Sequence, residues 1–310
     1  MKNFTCLFLF LTLFISSCEK TEDINDSEDL SFQLIENRKE IKGKVVSVTA
    51  NENCGKIYVS ARIDAIDGQY ANVFFTLLSN GELESVKYNA DLPAGQNLFY
   101  TQAIEPKKSF SIEDFKYDRQ SQTASFKFKG KVFGHTNAKA EMQIEGSVHA
   151  KDIESLKCDA IIFEIRTTDP KFNFFSITSS NSKTHLVDKD GFYDYYYKSL
   201  SNSGQHLRLR LEKGIANYLD QEIELDEENQ KNWVEYMEYT GPFVVGLNVN
   251  VIPSEWKKFK VKGKIQSLKK LSNPPDIFGK YFEGYMVLDI YDKEKIIVEN
   301  AVLPFEVKDI

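Results

Sequence analysis

Alternation of apolar and polar residues constrains this chain more than any other feature, because it lines one face of a strand and scatters round a helix. Between residues 125 and 132, Phe126, Phe128, Gly130 and Val132 fall on one side of an extended strand, and Lys127, Lys129 and Lys131 on the other. The run at 141–148 answers it, with Met142, Ile144 and Val148 on one side and Glu141, Gln143, Glu145 and Ser147 on the other. Gly134, His135, Thr136 and Asn137 between them form a turn-rich connection. Matching the apolar faces as a hairpin sets Lys129 opposite Glu145, a favourable pair on a solvated face.

The same pattern marks strands at 41–48, 56–63, 73–78, 159–166, 173–178, 207–211, 259–265, 281–291 and 296–307. Pro304 makes the last of these irregular or an edge strand. The 23 Phe and 15 Tyr suit pleated, half-buried surfaces. Strands at this spacing, joined by Gly, Asn and Asp turns, suggest sandwiches or barrels, and the expected fold is all-β: two tandem antiparallel β-sandwich-like domains, 32–155 and 156–310, with at most one or two short helices. Two domains rather than one follow from a length beyond the usual single core. Residues 227–238 read as a helix, with Trp233, Tyr236 and Met237 at helical offsets and Asp226 as the cap. A short helix or a turn is expected at Ile112, Glu113 and Asp114. Residues 126–132 echo 259–265, and 148–153 echo 305–310, which suggests duplication of one β-domain; amphipathic strands of similar composition explain it equally.

The chain opens with Lys2, an apolar run over 4–15, and then Ser16, Ser17 and Cys18. The run is shorter than the ~20 residues a spanning helix needs, so it reads as a secretory signal. Small residues directly before a cysteine resemble the lipobox of bacterial lipoproteins, which implies a signal peptide over 1–17 and lipidation of Cys18. Residues 18–31 then form an acidic tether. Its composition also resembles the surface-export signal of Bacteroidetes-type lipoproteins. That resemblance covers only the leader and tether. It implies an outer-membrane, lipid-anchored protein, with the cell surface favoured over a periplasm-facing anchor.

The formal charge is −7, of which residues 1–29, with Lys2, Lys20 and six acids, carry −4. The body is nearly neutral, without the basic excess that nucleic acid requires. Cys54 and Cys158 remain beyond the leader, in a disulfide-permissive setting; they either pair or stay as two buried thiols.

Asp188, Asp190 and Asp194 around Gly191 alternate as calcium ligands do. The third early acid and the distal glutamate of an EF-hand are missing, and Asp-Gly is the ordinary hairpin turn, so the turn is favoured and no cofactor is expected. Tyr193, Tyr195 and Tyr197 share one face of a strand and form the candidate ligand-binding row. Exposed, they would stack on sugar rings or partner proteins; inward, they would fill the core. The four histidines show no His-x-x-x-His spacing, and no nucleophile elbow or phosphate loop occurs. The expected role is a non-enzymatic binding or accessory module, possible ligands being glycans. The alternatives are a scaffold or adhesin binding an envelope protein, and a polysaccharide hydrolase.

Overall fold

The computed structural model describes residues 31–36, 39–65, 69–90, 98–135, 139–158, 161–169, 171–186, 193–242, 253–275 and 279–310. Among these residues the regular elements are β-strands and short 3-10 turns.

The first part of the chain contributes β1 (Ser31–Glu36), β2 (Lys39–Asn53), β3 (Lys56–Ala65), β4 (Gln69–Leu78), β5 (Leu83–Ala90), β6 (Leu98–Tyr100), β7 (Phe110–Asp118), β8 (Thr123–Gly134), β9 (Glu141–Ala150) and β10 (Glu154–Ser155). Pairing runs β1-β9-β8-β6-β5-β4-β3-β2 and returns from β2 to β1, so these eight strands close a barrel. β7 lies beside β8, and β10 runs parallel to β2.

The second part contributes β11 (Phe163–Asp169), β12 (Phe172–His185), β13 (Tyr193–Ser201), β14 (Gln205–Leu211), β15 (Ile223–Asp226), β16 (Trp233–Tyr239), β17 (Trp256–Lys270), β18 (Tyr281–Asp292) and β19 (Lys295–Lys308). Its order is β17-β16-β14-β13-β12-β11-β19-β18, and a β17–β18 ladder joins the two ends, with β15 added beside β17. The chain is thus all-β. Where two β-sandwich-like domains were expected, the ladders run round each unit and close it into a ring. Each ring follows chain order, with β7 and β15 set beside it, and each is closed by its last strand pairing with its first: β9 with β1, and β19 with β11.

Burial follows the alternation. On β3, Ile57, Val59, Ala61 and Ile63 point inward at 3% exposure or less. The two largest clusters of buried apolar side chains span 45–148 and 163–307. Phe75 centres the first, with its ring 5.1 Å from Phe126 and 4.9 Å from Phe128. Phe163, Tyr197 and Phe305 meet in the second.

The expected hairpin is present: β8 and β9 pair with Lys129 opposite Glu145, and the two side chains form an ion pair at 2.6 Å. The sequence echo has a partial counterpart. Residues 126–132 and 259–265 lie in β8 and β17, each of which pairs with the next strand in sequence and with two partial partners. The second match falls on β9 and β19, each the last strand of its ring, paired with the strand before it (β8, β18) and with the ring's first strand (β1, β11).

Two helical expectations are corrected. Residues 227–238 form a 3-10 turn (Glu227–Asn229), capped as expected by the Asp226 side chain, followed by strand β16. Residues 112–114 lie within β7, where a register shift separates Glu113 from Lys116. β19 is irregular, as Pro304 suggested: its ladder to β18 shifts register on either side of Ile290, and its ladder to β11 covers only residues 305–307, with Pro304, paired with Tyr285, just outside it.

The two barrels meet through a small apolar cluster of Ile104, Leu200 and Trp256, packed by Ile177, Met237 and Tyr239. Glu105 N donates to Asn202 O (2.7 Å), and Asn202 Nδ2 donates to Leu83 O (3.1 Å).

Candidate functional site

The outer face of β3–β6 is built by the same alternation that builds the first core. With Ile57, Val59, Ala61 and Ile63 inward, Tyr58, Ser60, Arg62 and Asp64 point outward. On β4 the outward set is Tyr70, Asn72, Phe74 and Thr76, and on β5 it includes Ser85, Lys87 and Asn89. Register lines them up in rows. Ser60, Phe74, Lys87 and Tyr100 follow one another across four strands, with Arg62, Asn72 and Asn89 in the next row.

Large aromatic side chains stay exposed here. Tyr58, Tyr70 and Phe74 show 39%, 42% and 37% of their surface, and Tyr285 is the one other aromatic among the large exposed apolar residues described. The Arg62 guanidinium lies 3.9 Å from the Tyr70 ring, and Lys87 Nζ sits 5.5 Å from the ring of Phe74 and 5.9 Å from that of Tyr100. A groove of about 190 Å³ opens beside them, lined by Phe74, Thr76, Ser85, Lys87, Tyr100 and Gln102 among others. Glu84, also on its wall, pairs with Lys56 at 2.8 Å, and burial pushes its carboxyl above the ordinary range despite that lysine. The surface therefore offers flat apolar rings, amides, hydroxyls and two cations in one plane. Such a surface can stack on the apolar faces of sugar rings and hydrogen-bond their hydroxyls.

The tyrosine row singled out from sequence is elsewhere, on β13, and the structure turns part of it inward. Tyr197 is fully buried against Phe163, and its hydroxyl accepts from Ile215 N at 3.4 Å. Burial pushes that phenol well above its ordinary pKa. Tyr195 packs against the same core, while Tyr193 is half-buried beside His185 and Lys183. Tyr196 turns outward, its ring 6.3 Å from Trp233 and 4.4 Å from the Arg208 guanidinium. The three odd-numbered tyrosines do share a parity, and it points Tyr197 into the second core with Tyr195 packed against it.

Asp194 is 8% exposed and already satisfied by Arg210 (2.5 Å) and by the Tyr196 hydroxyl, which donates to Oδ2 at 3.1 Å. Asp188, Asp190 and Cys18 lie outside the described residues. Among those described, no group of three or more His, Cys, Asp or Glu is placed to hold a metal ion. Cys54 and Cys158 are joined, with Cα atoms 4.7 Å apart, which ties the β2–β3 turn to the segment between the barrels.

A second concave region borders that segment. Glu164, Glu306 and Glu283 form a row across β11, β19 and β18. With Arg166, Lys269 and Tyr285 they line a cleft of about 190 Å³. Lys269 neutralises Glu283 at 3.1 Å. Glu306 is pushed up by burial and by Glu283 and Glu164, against the pull of Arg166.

The outward aromatics of β3 and β4 carried a sequence signal, since Tyr58 and Phe74 stand in phase with polar neighbours rather than with the apolar set. The Phe74–Phe75 doublet obscures that phase, because it puts an aromatic on each face. No family model, curated protein or solved structure matches the chain.

Proposed function

We propose that this protein is a lipid-anchored glycan-binding module of the outer membrane, displayed at the cell surface and acting beside other envelope proteins. The leader supports the anchor: Cys18 follows small residues after a short apolar run, and an acidic tether comes next. The observation that carries the binding role is the outer face of β3–β6, where Tyr58, Tyr70 and Phe74 remain exposed among Arg62, Asn72, Lys87 and Asn89. Isolated exposed apolar residues are ordinary on proteins, but aromatic rings gathered on one sheet face with polar partners between them mark a recognition surface.

Retention of the full chain on a panel of immobilised neutral polysaccharides, with and without calcium, tests this reading. Retention by at least one polysaccharide, unchanged by a chelator, is the expected result. Passage through every matrix would overturn the glycan assignment. For the anchor, Cys18→Ala is expected to shift the protein from the membrane pellet to the soluble fraction on cell lysis and centrifugation. An unchanged pellet fraction would contradict lipidation at that residue.

A further inference from the structure

The second barrel carries a different surface on the outside of β12, β13 and β14. Register places Thr178, Leu200 and His206 in one row and Ser180, Lys198 and Arg208 in the next. A depression of about 200 Å³ opens here, lined by Thr178, Ser180, Lys198, Leu200 and His206 among others, and Arg208 stands next to its wall, opposite Lys198 in register.

The polar atoms here are poorly provided for. His206 is only 6% exposed, and its buried Nδ1 has no hydrogen-bond partner among the described residues. The same holds for the buried Nε of Arg208, whose guanidinium lies over the rings of Tyr196 (4.4 Å) and Trp233 (5.4 Å). Buried polar groups left without a partner are rare, because each forfeits its hydration. The neighbouring charges are otherwise settled. Glu235, opposite Arg208, is held by Lys258 at 3.1 Å, and Asp194 is held by Arg210. Burial above all, with Lys198 and Arg208 adding to it against Glu235, pushes His206 down to about 4. At neutral pH the ring is therefore uncharged, and the positive charge comes from Lys198 and Arg208.

We propose that this depression binds a tetrahedral oxyanion, a sulfate or a phosphate group, held by Lys198, Arg208 and His206 with the hydroxyls of Thr178 and Ser180. Two cations on adjacent strands supply the charge, and charge-assisted hydrogen bonds to oxyanions are the strong ones. The side chains involved are separate from the aromatic face of the first barrel, so the site stands or falls independently of glycan binding there.

The test is the thermal unfolding midpoint of the full chain titrated with sodium sulfate and, separately, sodium phosphate, each against sodium chloride at matched ionic strength. The chloride series and the variants are needed because sulfate and phosphate also stabilise proteins without binding a site. A specific site gives a saturating rise in midpoint. The doubly substituted Lys198→Gln, Arg208→Gln is expected to lose it, with at least a tenfold weaker apparent affinity. Because Arg208 also packs on Tyr196 and Trp233, Lys198→Glu alone is the second variant; it reverses a charge at the depression and leaves Arg208 in place. A response to only one of the two anions supports the site and names the group. No saturating rise over chloride, or an equal rise in folded Lys198→Glu, would overturn the proposal.

Discussion

At the scale of single residues, the protein separates groups that hold it together from groups left at its surface. His206, buried beneath the proposed oxyanion site, has a titration of definite sign. The unfolded chain binds a proton near pH 6.5, whereas in the folded state the ring resists protonation down to about 4. Stability therefore falls as the pH drops from 6.5 towards 4, by about 3 kcal/mol at most from this group. Urea unfolding of the wild type and His206→Gln between pH 7 and 4 is expected to show a shallower loss in the variant; parallel curves would contradict the assignment. A residual slope belongs to carboxylates such as Glu52. Burial raises its pKa, but hydrogen bonds from Arg119 and Tyr117 (2.7 Å) outweigh this, so its folded value lies below the ordinary one. Its contribution is lost as the pH falls through the carboxylate range.

At the scale of elements, alternation along a strand was legible and the direction of each face less so. The β8–β9 hairpin could be registered from sequence because one face is plainly apolar and the other plainly charged. In β13 both faces are aromatic, so Tyr195 and Tyr197 compete with Tyr196 for the inside. The helix expected at 227–238 fails for a related reason. Val234 and Tyr236 face the second core at 2% and 1% exposure, while Met237 on the opposite face packs into the cluster between barrels. Burial on both faces brings Tyr236 and Met237 together in the count and imitates a helical period. The strand parity yields a direct comparison. Tyr197→Ala is expected to cost about 3–5 kcal/mol in denaturant unfolding, as for large-to-small changes in a packed core. Tyr196→Ala is expected to cost well under half of that. Equal losses would contradict the inward placement of the odd-numbered tyrosines.

The face of Gly130 was legible, but not the reason for a glycine there. Gly130 pairs with Phe110 on β7, where an added Cβ would stand 2.4 Å from the Phe110 Cα and 2.5 Å from the Ser109 carbonyl oxygen. Nothing in the alternating run announces that close approach, because it depends on a strand twenty residues upstream in the chain. Gly263, at the matching place in β17, meets the Val287 carbonyl oxygen at 2.2 Å by the same measure.

At the scale of the whole molecule, the all-β class and the presence of two cores were readable, and ring closure was not. Closure rests on the pairing of β1 with β9 and of β11 with β19, and no local pattern encodes such distant partners. The Cys54–Cys158 bond is a similar case, since its cysteines stand 104 residues apart and become neighbours only when the first barrel forms. Cross-linking so long a loop restricts the unfolded chain by up to about 4.7 kcal/mol in the chain-entropy account. Cys54→Ser together with Cys158→Ser is expected to lower the unfolding free energy by about 2–5 kcal/mol. Unfolding that matches the wild type, oxidised and reduced, would show that the bond does not constrain the fold.

The account depends most on the outer face of β3–β6 being a recognition surface rather than a set of incidental aromatics. The direct measurement is the dissociation constant for a retained polysaccharide, determined alongside the unfolding midpoint, for the wild type and for the combined Tyr70→Ala, Phe74→Ala variant. Both rings are exposed, so the midpoint is expected to stay within a few degrees while the dissociation constant rises at least tenfold. Unchanged affinity in a folded variant would contradict the account and remove the glycan site from this face.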